Sequence, residues 1–144
     1  SGVADQIMTA TDYSERRQHV RVYFDGLDEL QCRFIRATAA AEPHAAAVHD
    51  LSLGGLHLSL GQDGGFAVGG HLTLLALAYR TGQVCEMRVD MVIRWIFARP
   101  GFSRLYMGCQ YLDLPDPARA WITALVAAKE RAAAAGRPKG PVGR

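Results

Sequence analysis

Two arginines four residues apart, Arg17 and Arg21 in the stretch RQHVR, have the types and spacing best suited to chemistry in this 144-residue chain. A separation of four places two side chains on the same side of either an extended strand or a helix. Each guanidinium presents a planar fork of donors that fits a phosphate or the O6 and N7 edge of guanine, and it stacks on bases. Together the two arginines suit a guanine nucleotide.

The stretch DLSLGG offers the groups that arginines lack. Asp50 would accept hydrogen bonds from the ring and amino N–H groups on the other edge of guanine, and Ser52 would donate to a phosphate. Gly54 and Gly55 have no Cβ, so the backbone there could approach a ligand closely. The alternative interpretation is a turn held by local side-chain hydrogen bonds, with the arginines forming an ordinary solvated surface.

The sequence lacks the motifs of a metal site, of a serine hydrolase and of a phosphate-binding loop. The five histidines form no HExxH or HxxxH pattern, so no metal site is predicted. Ser52 lacks the glycine two residues earlier that a nucleophile elbow requires, and no glycine run precedes Lys-Ser or Lys-Thr as in a phosphate loop. We therefore expect neither an enzyme nor a resident cofactor.

Charge and cysteine content narrow the choice of partner and compartment. Sixteen basic and fourteen acidic residues give a net charge of +2, which is too small for a general nucleic-acid binder. Cys32, Cys85 and Cys109 are odd in number and widely spaced, which favours a reduced, cytoplasmic protein. The longest apolar run, Leu74 to Tyr79, is too short for a bilayer span, so we expect no membrane insertion.

The elements that would position these groups are mostly strands. Apolar and polar residues alternate in LQCRFIRA and in LHLSL, which is the period of a half-buried strand. The clearest alternation runs from Cys85 to Phe97 and includes Trp95 among the apolar set. LTLLALAY is apolar on both faces and predicts a central strand. A short strand ending near Asp50 and a final strand at Leu105 to Leu112 complete a six-stranded antiparallel small β-barrel, an all-β fold.

A single helix follows the last strand. Asp116 is placed to cap it and Pro117 suits its first position. An apolar stripe should cover a mouth or flank of the barrel, formed by Trp121, Ile122, Leu125, Val126 and Ala128.

We divide the chain into three parts. Residues 1–13 are expected to be a flexible arm, in which residues 1–2 look like a remnant of cloning. Residues 14–128 are the barrel domain with the start of the helix. Residues 129–144 hold the end of the helix, to about Ala135, and a basic tail that we expect to be disordered.

RQHVR followed later by DLSLGG resembles the paired signature of the PilZ domain family, RxxxR and [D/N]xSxxG. The order of ERRQHVRV, DLSLGGLHL, a long strand with VIRW, and YMGCQYLDL before a helix is similar to that family over roughly Ser14 to Ala128. The resemblance implies a six-stranded barrel with a helix that binds the bacterial second messenger cyclic di-GMP. DLSLGG would then be both a turn and half of a nucleotide site.

By motif matching, Arg17 and Arg21 would bind guanine and phosphate groups, with Asp50, Ser52 and Gly55 completing the site. The family prefers other apolar residues where this chain has Cys109 and Tyr111, a departure that affects packing and not the ligand.

Arg16 stands just before the motif and would point away from Arg17 and Arg21 in an extended segment. Cyclic di-GMP can pair into an intercalated dimer, and in PilZ domains an arginine here looks compatible with holding the second molecule. We therefore predict two ligands per chain. The alternative is that Arg16 faces solvent beside Glu15.

We expect a single-domain sensor whose N-terminal arm, up to Arg21, folds over the ligand and changes a surface offered to an unidentified protein partner. A ligand-free PilZ-like interaction module is the first alternative. A basic nucleic-acid binder is the second, and the scarcity of lysine and of aromatic residues beside the arginines counts against it.

Overall fold

A computed structural model describes residues 20–38, 42–61, 65–98 and 100–136. Arg16, Arg17, the predicted flexible arm and the end of the predicted basic tail lie outside these residues. The elements within them are β1 (Val22–Tyr23), β2 (Leu30–Arg36), β3 (His44–Leu51), β4 (Gly55–Gly61), β5 (His71–Tyr79), β6 (Val84–Ala98), β7 (Arg104–Tyr111) and α1 (Asp116–Gly136).

Six of the strands form a closed antiparallel barrel. Their neighbour order is β3, β2, β5, β6, β7, β4, and β4 returns to pair with β3. The short strand β1 adds to the end of β3, where Val22 and Tyr23 lie opposite Leu51 and Asp50. The predicted six-stranded barrel is thus confirmed, with one extra strand. Because the barrel is closed, each of the six strands has a hydrogen-bonded neighbour on both sides.

The barrel interior is filled by the inward residues of each strand. Fully buried side chains come from β2, β4, β5, β6 and β7, for example Phe34, Leu58, Leu74, Met91 and Met107. Each belongs to an alternating or apolar stretch of sequence, because successive side chains of a strand point to opposite faces. The alternation that predicted the strands therefore also identifies the core.

The long strand β6 departs from the predicted pattern in its second half. Its register with β7 shifts between Ile93 and Trp95, which leaves Arg94 as the extra residue of a β-bulge. Beyond the bulge Ile96 packs against the core, whereas Trp95 and Phe97 are 43% and 54% exposed. The expectation that the alternating apolar residues share one face is wrong beyond Ile93, because an inserted residue reverses the alternation.

The helix α1 begins at the predicted Asp116 and packs against β6 and β1. Its buried seam follows steps of four through Ala118, Ile122 and Val126. Ala128, which the sequence placed in this stripe, is exposed because it lies on the opposite side of the helix from Val126. In the part of the chain that the structure describes, no helix combines the length and apolar character needed to cross a membrane.

A buried carboxylate fixes the second half of this helix to the barrel. Glu29, which precedes β2, accepts hydrogen bonds from Lys129 Nζ at 2.8 Å and from the Tyr79 hydroxyl at 2.9 Å. Burial acts to raise the pKa of Glu29, but the hydrogen bonds from Lys129, the Asp25 amide and Tyr79 outweigh it, so this pKa lies below its ordinary value. Lys129 also lies 4.9 Å from the centre of the Phe24 ring, just after β1.

Candidate functional site

A line of paired residues crosses the outer face of the barrel from β1 to β6. The sheet register places Tyr23 beside Asp50, Asp50 beside His57, His57 beside Gly108, and Gly108 beside Trp95. Directly paired residues of neighbouring strands lie on the same face of a sheet. These five residues therefore form one row, which we call the outer row.

A bulge in β3 turns the side chain of Asp50 toward the outer face of the barrel. The register of β3 with β4 shifts between Val48 and Asp50, and Val48 and Leu51 are both fully buried although they are three residues apart. Their separation leaves His49 and Asp50 both facing outward. The bulges at His49 and Arg94 lie on β3 and β6, the strands on either side of the β4–β7 pair, and each turns polar or aromatic side chains toward the outer row.

Asp50 is held from both sides at the centre of the row. Its Oδ1 accepts a hydrogen bond from Arg21 Nη1 at 2.6 Å, and its Oδ2 lies 3.1 Å from His57 Nδ1. Burial acts to raise the pKa of Asp50, but hydrogen bonds from His57 and Arg21 and the positive charge of Arg21 outweigh it. The pKa of Asp50 therefore lies below its ordinary value, and the side chain is an ionised acceptor.

The DLSLGG stretch is a tight turn organised by Ser52. The fully buried Ser52 hydroxyl accepts hydrogen bonds from the backbone N–H groups of Gly54 at 3.0 Å and Gly55 at 3.3 Å. A Cβ on Gly55 would lie 2.2 Å from the carbonyl oxygen of Cys109, so glycine is needed for β4 to approach β7. Both residues thus have a role inside the protein, and the hydroxyl of Ser52 faces the turn.

A pocket of about 880 Å³ opens above the outer row. Its lining comes from the DLSLGG turn, the outer faces of β4, β6 and β7, and the segment that leads into α1. Of the seven candidate residues, Arg21, Asp50, Gly54 and Gly55 line the pocket. Ser52 is fully buried within the turn, and Arg16 and Arg17 lie outside the described residues.

The pocket also contains residues that the sequence did not reveal. His57, Arg94, Trp95, Gln110 and Arg119 line it, and Arg94 Nε donates to Gln110 Oε1 at 2.6 Å. His57 could have been found from its place on the polar face of β4, two residues after the double glycine. Arg94 and Trp95 could not, because the bulge that exposes Trp95 leaves no signal in the alternation.

The indole of Trp95 lies across the backbone of β7. A Cβ added to Gly108 would be only 2.0 Å from Trp95 Nε1, and the indole also meets the His57 ring edge-on at 4.8 Å. The absence of a side chain at Gly108 is what lets this ring rest on the strand. Trp95 thus offers a flat, half-exposed aromatic surface to the pocket.

A second polar cluster adjoins the outer row. His49 Nε2 lies 2.6 Å from Ser59 Oγ, and Arg104 donates to the same hydroxyl at 2.8 Å. Burial lowers the pKa of His49, and the neighbouring His57 and Arg104 act in the same direction. Because Ser59 is fully buried, this Ser–His pair has no accessible nucleophile and stabilises the sheet instead.

Solved structures share this barrel at low sequence identity. The PilZ domain of YcgR from Escherichia coli, solved with c-di-GMP, matches with a TM-score of 0.58 and 18% identity over 82% of this chain and 94% of that one. The inhibitor of motility MotI/DgrA from Bacillus subtilis matches with a TM-score of 0.61 and 18% identity, over 82% and 52% of the two chains. The MrkH–c-di-GMP complex of K. pneumonia gives 0.60 and 16%, over 81% and 52%. The chain thus spans about half the length of the latter two proteins.

No curated protein sequence matches the chain. The model of the PilZ domain matches residues 15–128, a span that contains Arg21, the DLSLGG turn, all seven strands and the first half of α1. That span is most of the chain, and the barrel within it has the strand arrangement shared by the solved structures above. By this match the chain belongs to the PilZ domain family.

Proposed function

We propose that this chain is a receptor that binds cyclic di-GMP in the pocket above the outer row. The observation that carries the proposal is the contact between Arg21 and Asp50, whose side chains meet at 2.6 Å across 29 residues of sequence. It brings one residue from each half of the PilZ signature to the wall of one pocket. The E. coli and K. pneumonia relatives solved with c-di-GMP support the same ligand class.

The lining supplies the groups that a guanine nucleotide needs. Arg21 presents its fork of donors to a phosphate or to O6 and N7 of guanine. Asp50, an ionised acceptor, receives the ring and amino N–H groups of the base. The half-exposed indole of Trp95 provides a surface for base stacking. Arg17 would add a second guanidinium from the same motif.

Positive charge around the pocket favours an anionic ligand. Three arginines of the described residues line the pocket, against two carboxylates, Asp50 and Asp113, and Asp50 is already paired with Arg21. Ser52 contributes indirectly, because its hydroxyl holds the turn that carries Gly54 to the pocket wall. Ser52 is therefore proposed as a support of the site and not as a direct phosphate donor.

The existing ion pair does not oppose binding strongly. The Arg21 side chain is 43% exposed, and an ion pair with that degree of solvent access is worth under about 1 kcal/mol. The Arg21 guanidinium can donate two charge-assisted hydrogen bonds to a phosphate, against the one that it donates to Asp50. Turning Arg21 from Asp50 toward a phosphate is thus favourable.

Titration with labelled cyclic di-GMP, with GTP and a short RNA as competitors, tests the proposal. Arg17→Ala and Arg21→Ala should each weaken binding at least about tenfold, because each arginine makes up to two charge-assisted hydrogen bonds. Arg88→Ala is the matched control, because Arg88 is exposed on β6 and does not line the pocket. Unchanged affinity in either signature variant, with the melting temperature preserved, would remove the proposal. A folded native chain that ignores the nucleotide would favour the interaction module.

Asp50 allows a graded test. Asp50→Asn keeps the shape and loses the charge, so it should cost less affinity than Asp50→Ala and still be measurable if the side chain accepts from guanine. A normal affinity in both variants, with reduced thermal stability, would assign Asp50 to the sheet alone.

Signalling is proposed to pass through the N-terminal arm. Binding through Arg17 and Arg21 would fix the segment from Val3 to Arg21 against the barrel and so change the surface presented to a protein partner. Limited proteolysis checks this, because the arm should be cleaved without ligand and protected with it. Equal cleavage at saturating cyclic di-GMP would exclude the arm as the signalling element.

We further propose two ligands per chain, with Arg16 holding the second molecule of an intercalated pair. Isothermal titration of the native chain should give a stoichiometry of two, and Arg16→Leu should reduce it to one. A value of one in the native chain, or of two in both, would contradict this role.

A further inference from the structure

His57 is fixed beside Asp50 by the sheet itself. The two residues are direct partners in the register of β3 and β4, and the distance from His57 Nδ1 to Asp50 Oδ2 is 3.1 Å. Because Asp50 is an ionised acceptor, Nδ1 must carry the hydrogen of this bond. His57 Nε2 is buried and has no hydrogen-bond partner among the described residues. Among the described residues, the His57 ring therefore has its hydrogen bond with Asp50 alone.

Aromatic neighbours hold the His57 ring in place. Trp95 meets it edge-on at 4.8 Å, and the rings of His49 and Tyr106 lie at 5.2 Å and 5.9 Å. A ring packed on three sides keeps its orientation when a partner leaves Asp50. This matters because the ligand and Arg21 both compete for the same carboxylate.

The hydrogen bond from His57 does not depend on Arg21. Arg21 contacts Oδ1 of Asp50, whereas His57 contacts Oδ2, so the two donors use different oxygens of the carboxylate. A bound phosphodiester would draw Arg21 toward itself, and His57 would then keep its hydrogen bond to Asp50.

The geometry points to His57 as a positioning residue that holds Asp50 toward the ligand when cyclic di-GMP draws Arg21 away. This inference rests on the proposed function of the pocket.

The test is the cyclic di-GMP affinity of two His57 variants. His57→Gln keeps a donor for Asp50, so it should bind within about twofold of the native chain. His57→Leu removes the donor and should bind about fivefold to tenfold more weakly, because Asp50 loses a hydrogen bond to its charged oxygen.

His49→Gln is the matched control for the neighbouring imidazole. His49 packs on His57 but makes its hydrogen bond with Ser59, so this variant should bind cyclic di-GMP like the native chain. Equal affinities of His57→Gln and His57→Leu would overturn the inference and leave the receptor function standing. A native chain that does not bind cyclic di-GMP would overturn both.

Discussion

Gly55 and Gly108 lie on adjacent strands under the pocket, but an added methyl group would meet different neighbours at the two positions. At Gly55 the Cβ would lie 2.2 Å from the backbone carbonyl oxygen of Cys109. At Gly108 it would lie 2.0 Å from Nε1 of Trp95, a side chain that is 43% exposed. A backbone carbonyl inside a sheet cannot move away, whereas a half-exposed indole can turn into solvent. Gly55→Ala should therefore damage the fold, and Gly108→Ala should damage the site.

The sizes of the two effects follow from these contacts. Overpacking against fixed backbone costs about 3 kcal/mol, which lowers the melting temperature of a domain of this size by about 10 °C. Displacing the Trp95 indole from Gly108 costs about 1 kcal/mol, because the ring loses only part of its burial. The same displacement removes a stacking surface worth about 1–3 kcal/mol per base, so Gly108→Ala should weaken cyclic di-GMP binding about tenfold.

Thermal melting and ligand titration of Gly55→Ala, Gly108→Ala, Trp95→Ala and the double variant at Trp95 and Gly108 separate these effects. Trp95→Ala removes the obstacle, so adding Gly108→Ala to it should cost less than about 0.5 kcal/mol, within the range expected of independent sites. If Gly108→Ala destabilises the chain equally with and without Trp95, the indole is not what it displaces. If Gly108→Ala preserves ligand affinity, Trp95 is not a stacking surface.

Three further outcomes are expected. Ser52→Ala leaves two backbone amides of the turn without their acceptor and should lower the free energy of unfolding by about 1–2 kcal/mol, measured by urea titration. Glu29→Gln should lower stability at neutral pH. Because the pKa of Glu29 is depressed in the folded chain, that difference should disappear as acid protonates the native carboxylate, and a difference that persists at about pH 2 would contradict it. Iodoacetamide should modify Cys85 and spare Cys32 and Cys109 in the folded chain, because both are buried and burial raises the pKa of Cys109 to about 12, which mass spectrometry can check.

The sequence was sufficient for the six strands of the barrel but not for the short strand β1 or for the bulges. Alternation in LQCRFIRA and LHLSL correctly predicted β2 and β4, since one inward residue in every two is required of a barrel wall. The bulges at His49 and Arg94 break that rule by one residue each. A single inserted residue has no compositional mark, so the outward position of Trp95 could be learned only from the register with β7.

The candidate site was predictable to the extent that its residues lie in a local motif. Arg21, Asp50 and the double glycine were identified from two short stretches, and the structure brings them to one pocket. Arg119 lies on α1 and reaches the same pocket only through tertiary packing. No spacing in the sequence connects it to Arg21 and Asp50, because the packing of α1 against β6 and β1 determines that proximity.

Within the DLSLGG stretch, some residues are required by the fold and others indicate a ligand site. Ser52 and Gly55 act inside the protein, one as the acceptor of two turn amides and the other as the point where β4 approaches β7. A barrel that binds no nucleotide would need both of them for the same structural reasons. Asp50 is different, because it is a nearly buried carboxylate on the outer face, where an apolar residue would satisfy the sheet equally well. The acid and its arginine partner, and not the serine and glycine, are therefore the residues whose replacement distinguishes a receptor from an interaction module built on the same barrel.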